Sequence, residues 1–223
     1  MNSAQKTIGY VVVFLIFILT SCNTNKKPFK IMEGDLFFQN TGTGTIDNAI
    51  KSVTATAASK NYSHVGMAMQ KDGEWFVIEA IPKKGVCKTL LKDFLTRNKN
   101  SKNKSQTTVA RLDKKYQKYI PKALEYGVLQ LNKPYDSIFL WDDNAYYCSE
   151  LIYKMFSFQS LEKKVLPFIT NPMTFKDSSG NTATSWIKYY EKLKHNIPEG
   201  QTGTNPNLMA SSPYINFIFD YSK

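Results

Sequence analysis

Cysteine and histidine are scarce in this chain of 223 residues, with three of the former and two of the latter. So few cysteines exclude a disulfide-dense scaffold. His64 and His195 stand 131 positions apart and the cysteines are isolated from one another, so no zinc-ligand spacing is present and neither a metal nor another cofactor is expected. Acidic residues are short as well, 18 against 29 basic, which gives a net charge of +11. A positive surface favours anionic surroundings. Its densest stretch, Arg97 to Lys104, reads as a solvated loop rather than a nucleic-acid patch, and no nucleic-acid partner is expected. No internal repeat marks a solenoid, no appended wall-binding repeat is visible, and the length suits one globular domain.

The one long apolar run, Ile8 to Leu19, is too short for a comfortable membrane span and follows Lys6, as the apolar region of a signal peptide does. Leu19-Thr20-Ser21-Cys22 then places small residues before a cysteine, and this resembles the bacterial lipobox. That resemblance implies cleavage before Cys22, acylation of Cys22 and a stable membrane anchor. An ordinary signal peptide or a short anchor helix is the plainer alternative. The expected organisation is a lipoprotein signal peptide at 1–21, a lipidated tether at 22–30 and one domain at 31–223, in an extracytoplasmic location on the periplasmic side or the cell surface. Loss of residues 1–21 removes only Lys6 and leaves the charge at +10. With Cys22 acylated, a disulfide between Cys87 and Cys148 is the alternative to a free thiol at either.

Along the chain, Gly34 to Gln39 reads as a strand, and apolar residues at Ile46, Ile50, Val53 and Ala57 follow helical spacing over 46–58. Two strands, His64 to Gln70 and Glu74 to Ile81, flank Asp72-Gly73. Both turn residues tolerate the positive φ of a type I′ turn, a strong hairpin signal. Further expectations are a short helix near Leu90 to Leu95, a strand at Thr107 to Leu112, a helix from Pro121 to about Leu131, one within Tyr146 to Phe158, another at Trp186 to Leu193 and a final apolar segment at Tyr214 to Phe219.

The hairpin carries the first chemical expectation. With Asp72 and Gly73 as the turn, Lys71 faces Glu74 and Gly66 faces Glu79, so His64, Gly66 and Ala68 share a face with Val77 and Glu79. His64 and Glu79 become diagonal neighbours within side-chain reach. A carboxylate there can fix the tautomer of an imidazole base and steady its cation. The plainer alternative is a hydrogen-bonded edge histidine beside a strand-end charge. The opposite face, with Val65, Met67, Met69, Phe76, Ile78 and Ala80, is apolar and belongs to the core.

Cys148 sits where a polar loop meets an amphipathic helix, so its sulfur feels the helix dipole and unpaired backbone N–H groups, which favour a thiolate. Those N–H groups can also bind an oxyanion, with Gln39 or Tyr147 as a second donor. Small residues at Gly66 and Ala68 are expected to admit the Cys148 helix onto the His64 face. Ser149 is a competing cap or nucleophile without a strand–turn–helix elbow, and Glu150 reads as a favourable charge near the helix start. Cys87 reads as structural, and His195, after the lysine-rich end of a helix, as a surface residue.

Gly-Asp-Leu-Phe-Phe-Gln at 34–39, Asn-Tyr-Ser-His-Val-Gly at 61–66, Ile-Glu-Ala at 78–80, Pro-Tyr-Asp at 134–136 and Tyr-Cys-Ser-Glu-Leu at 147–151, in that order, resemble the YiiX-like branch of the NlpC-type, circularly permuted papain-like cysteine hydrolases. The resemblance covers about Gly34 to Phe156, with a weaker echo at Pro206 to Pro213. It implies an α+β domain in which a small antiparallel sheet packs against helices, one of them bearing the cysteine. It also implies Cys148 as nucleophile, His64 as base and Glu79 as its orienting group. Relatives act on amide bonds, often of cell-wall peptides, while the lecithin retinol acyltransferase branch moves acyl chains of lipids. The expected activity is therefore an amidase or peptidase working on a peptide or other amide substrate through an acyl-thioester. A lipid-directed acyltransferase or lipid-amide hydrolase is the alternative, and a non-enzymatic lipoprotein binding module is the second.

Overall fold

The computed structural model describes residues 29–41, 61–158, 166–177 and 179–223. The leader at 1–21, Cys22 and the helix predicted over 46–58 lie outside the described residues. The elements in chain order are β1 (Leu36–Gln39), β2 (His64–Lys71), β3 (Glu74–Ile81), β4 (Gly85–Leu90), α1 (Leu91–Thr96), β5 (Thr107–Leu112), α2 (Lys114–Gln117), α3 (Ile120–Leu129), α4 (Cys148–Ser157), β6 (Asn171–Pro172), α5 (Thr184–Leu193), β7 (Thr202–Gly203), α6 (Pro206–Ala210) and β8 (Ile215–Asp220). Six strands form one antiparallel sheet in the order β4-β3-β2-β1-β5-β8. This is the expected α+β architecture.

The β2–β3 hairpin has the predicted register, Lys71 opposite Glu74 and Met67 opposite Ile78. Asp72 and Gly73 turn the chain with φ of 52° and 81°, the two positive angles that a type I′ turn requires. Alternation along the strands then divides the sheet into two faces. Leu36, Phe38, Val65, Met67, Ile78 and Val86 belong to one core with Leu151, Ile152 and Met155 of α4 and Ala123 and Leu124 of α3. On the other face Phe37, Ala68, Val77 and Val109 belong to a second core with Phe94 of α1. Phe94 is fully buried, and seating a side chain of that size contributes about 1.5–3 kcal/mol.

This division corrects the expectation that α4 lies over Gly66 and Ala68. The cysteine helix packs on the opposite, apolar face, and α1 covers the face of His64. Gly66 answers to a different crowding: a Cβ there would meet Val77 Cγ1 at 2.4 Å and Glu79 Cβ at 3.3 Å within the sheet itself. A second correction concerns the tether. Phe29 stacks on Phe219 at 4.4 Å and Arg111 Nη2 donates to the Lys30 carbonyl, so the packed domain begins before residue 31 because an aromatic ring there finds apolar cover. β4 is a strand that sequence patterning did not mark. It is set off from β3 by a turn with positive φ at Lys83 and Gly85, and Gly85 is required because a Cβ would lie 2.0 Å from the Lys133 carbonyl oxygen.

A third cluster, aromatic in composition, joins Phe139 and Tyr147 to Phe175, Trp186 and Tyr190, which places α5 beside the start of α4. The Pro-Tyr-Asp segment fixes that start. Tyr146 N–H donates to the Pro134 carbonyl and Asp136 N–H to the Tyr146 carbonyl, so residues 134–136 run as a short parallel bridge beside the residues entering α4.

Candidate active site

His64 opens β2, Glu79 lies near the end of β3, and the register that makes them diagonal neighbours brings their side chains together. His64 Nε2 lies 2.6 Å from Glu79 Oε2. With Nε2 so engaged, Nδ1 is the ring nitrogen left to serve the thiol, and Cys148 is near enough to act on the pKa of the ring. Cys148 is the first residue of α4, in the turn where backbone N–H groups have no partner within the helix. The two cores therefore meet at one end of the sheet, the base rooted in the strands and the thiol in the helix on the apolar face.

Electrostatics follow from this closure. Burial of the ring lowers the His64 pKa, but the hydrogen bonds and charges of Cys148 and Glu79 outweigh it and hold the value up at about 9. Burial raises that of Glu79, and His64 and Arg97 overcome the penalty and bring it down to about 2. Near neutrality the arrangement is an imidazolium held by a carboxylate, with the Cys148 sulfur beside it. Such a set can attack a carbonyl carbon and hand a proton to a leaving amine.

Two residues that sequence reasoning did not assign to the site hold Glu79. Arg97 Nη1 and Nη2 donate to its two carboxylate oxygens at 2.8 Å each, and Thr89 Oγ1 donates to Oε1 at 2.5 Å. Arg97 follows α1 directly, and its guanidinium lies over the Phe94 ring at 4.3 Å, so the buried ring sets both the rotation of the helix and the position of the fork. Arg97 thus leaves the solvated basic loop to which its neighbours assign it. One signal was available: arginine occurs only at 97 and 111 among 29 basic residues, and Arg111 likewise grips a fully buried carboxylate, Asp35, at 2.7 and 2.8 Å. Arginine's planar fork suits such pairs where lysine's point charge does not.

Gln39 has a different task from the oxyanion donor expected of it. Its Nε2 donates to the Phe94 carbonyl and to Thr107 Oγ1, and its Oε1 accepts from Arg97 Nε and Nη2. Both amide hydrogens are committed, so Gln39 orients Arg97. Tyr147 is buried beside Cys148, accepts the Thr204 N–H at its hydroxyl oxygen, and keeps its own hydroxyl hydrogen uncommitted among the described residues. Ser149 donates to the Thr204 carbonyl and ties the 203–206 segment to α4. Glu150 is more than a helix-start charge. Burial lifts its pKa to about 8 against the pull of Lys154, and it accepts the Tyr147 N–H. Cys87 and Cys148 are both free thiols, so the disulfide alternative is not formed. His195 is exposed and its ring Nδ1 lies 2.8 Å from the neighbouring Asn196 carbonyl, in keeping with a surface residue.

On the side of Cys148 away from the sheet lies a cavity of about 100 Å³, walled by Tyr135, Phe139, Tyr147, Phe175 and Trp186 and by the loops of β6 and β7. Nothing in the sequence motifs announces it.

Comparison with known proteins identifies the family and the fold. The model of the family described as permuted papain-like amidase enzymes, YaeF/YiiX, C92 family, matches residues 30–219. YiiX of Escherichia coli strain K12 is 27% identical over 187 residues, covering 83% of this chain and 84% of that protein. The crystal structure of YiiX from Escherichia coli O157:H7, described there as a metalloprotein, superposes with a TM-score of 0.68 at 24% identity, over 86% of this chain and 98% of that one.

Proposed function

The chain belongs to the YaeF/YiiX (C92) family of permuted papain-like amidases, and on that premise we propose that Cys148, His64 and Glu79 cleave an amide bond of a cell-wall peptide. The observation that carries the residue assignment is the relay from Cys148 through His64 to a Glu79 whose oxygens are both held by Arg97. The thiolate attacks the amide carbonyl and the C–S bond forms. The oxyanion that develops is bound by the Cys148 N–H, with the Tyr147 hydroxyl as second donor. His64 gives its proton to the leaving nitrogen as the C–N bond breaks, leaving an acyl-thioester. Water, deprotonated by His64, then releases the acid and restores the thiol. Glu79 keeps the imidazole in one tautomer throughout, and the Arg97 fork keeps Glu79 in place.

The cell-wall peptide is favoured because a protein anchored through Cys22 outside the cytoplasm meets it constantly. A metal finds no home in the reaction centre. Glu79 spends both oxygens on a cationic fork and His64 spends Nε2 on Glu79, which leaves only His64 Nδ1 and the Cys148 sulfur, fewer donors than a resident cation needs. Among the described residues no group of three or more His, Cys, Asp or Glu is placed to hold a metal.

The test compares wild-type and Cys148→Ala protein on muropeptides and on N-acyl lipids. Peptide cleavage by wild type alone is the expected result. Cleavage of the lipids alone overturns the peptide reading, and no difference between the proteins on either substrate overturns the cysteine assignment. A Cys22→Ser protein that still fractionates with membranes and takes up labelled fatty acid would refute the anchor.

A further inference from the structure

The two edges of the sheet are unlike each other. β4 carries Lys88, and its backbone at Val86 is bonded by the Asn132 N–H and the Lys133 carbonyl, so that edge is charged and partly covered. β8 instead exposes Phe217, Ile218 and Phe219, by 48%, 36% and 38%. Single exposed apolar side chains are common, but among the described strands no other shows three in succession. Phe217 packs on Phe38 and Tyr62, whereas Phe219 packs on Phe29 and Tyr221, on the other face of the sheet. The apolar surface is therefore the strand edge as a whole.

The point where the chain enters the domain identifies what meets this edge. Phe29 stacks on Phe219 at 4.4 Å, and Arg111, which faces Asn216 across β5 and β8, donates to the Lys30 carbonyl. Cys22 precedes Phe29 by seven residues, at most about 25 Å of extended chain. An anchor there holds β8 beside the bilayer at an effective concentration that populates even a weak contact. Charge points the same way. Lys26, Lys27 and Lys30 flank Phe29 in sequence, Lys114, Lys115 and Lys118 are exposed on and beside α2, and Lys115 Nζ lies 3.8 Å over the ring of Tyr214, the residue before β8. These six outnumber the acids around them, Glu33, Asp113 and Asp220, while Asp35 is paired with Arg111.

We propose that β8 lies edge-on against an anionic lipid bilayer, its three apolar side chains among the headgroups and the flanking lysines on lipid phosphates. The proposal rests on acylation of Cys22 and is independent of the amidase chemistry. It stands the sheet upright on the membrane. β2, which bears His64, is three strands from β8, so the catalytic base sits roughly 14 Å from the contact and clear of the acyl chains.

The test uses the protein as isolated from membranes in detergent, with Ile218→Trp as reporter and the mass of its N-terminal peptide as the measure of acylation. It is placed in vesicles of brominated phosphatidylcholine, with or without phosphatidylglycerol. Bromine quenches an indole only on contact, and protein without the reporter supplies the background of Trp75, Trp141 and Trp186. The expected result is quenching of the added tryptophan in the anionic vesicles, weakened by salt. Lys114→Glu and Lys115→Glu should each lower the ratio of docked to undocked protein roughly fivefold or more, and thermal melts in detergent check that both variants are folded. An acylated protein whose reporter is not quenched overturns the docking and leaves the anchor standing. An N-terminal peptide without acyl mass overturns the anchor and the docking with it. An unquenched reporter whose emission shifts to the blue as protein density rises assigns the edge to a second copy of the chain, which also overturns the proposal.

Discussion

The same face of the sheet carries two arginine–carboxylate forks built alike, Arg97 on Glu79 and Arg111 on Asp35, separated by Phe37 and about 13 Å of strand. Each carboxylate is fully buried, each guanidinium is about a quarter exposed, and each pair is bidentate. They differ in what else the carboxylate touches. Asp35 turns to the Met32 N–H and closes a local loop, whereas Glu79 turns to a histidine that reaches a thiol. A buried ion pair is therefore no mark of function by itself; the third partner decides.

Breaking the carboxylates should show the largest contrast. Glu79→Gln removes the charge that steadies the imidazolium and is expected to lower kcat by about 10³–10⁴-fold on any amide substrate. Asp35→Asn should leave kcat within about twofold while destabilising the fold by roughly 3 kcal/mol or more, as loss of one partner of a buried pair does. Steady-state kinetics beside thermal melts reads both. If the two variants lose activity equally, the distinction collapses.

The pH dependence should separate them next. His64 is raised above its unfolded value of 6.5 to about 9, so the stability it contributes is complete below pH 6.5 and is lost as pH rises through about 9, a change of about 3 kcal/mol. Glu79 is depressed from 4.5 to about 2, so its contribution is present above pH 4.5 and is lost as pH falls through about 2. Denaturant titrations should show the alkaline loss shrink in Glu79→Gln and persist in Asp35→Asn. An alkaline loss of the same size in both would sink the assignment.

Smaller effects test the forks and their supports. Arg97→Lys keeps the charge but not the two-point grip, and an activity loss of about tenfold is expected, against none for Arg111→Lys. Thr89→Val removes one hydrogen bond to Glu79 and should cost only about three- to tenfold in kcat/KM.

Much of this was legible in the sequence wherever it depended on local rules. Asp72-Gly73 set the hairpin, period-two alternation set its faces, and together they brought His64 and Glu79 within contact. The helix beginning at Cys148 was readable from its amphipathic spacing. What could not be read was which helix covers which face, because the apolar face of α4 and the single buried ring of α1 have no local signal that pairs them with a side of the sheet. Arg97 was hidden for a related reason. Its neighbours are lysines and asparagines of a surface turn, and only the end of α1 over Phe94 swings it inward. Gln39 was placed near the site correctly, but the number of its partners depends on three segments distant in sequence.

Because the thiol hangs from one core and its base from the other, with the sheet between them, catalysis reports a coincidence. Either layer can open locally at a free-energy cost below that of global unfolding, and each such opening separates sulfur from imidazole while most of the backbone hydrogen bonds persist. Mild denaturant should therefore silence the thiol before bulk secondary structure is lost, and turnover becomes the more sensitive gauge of whether both halves are in place at once.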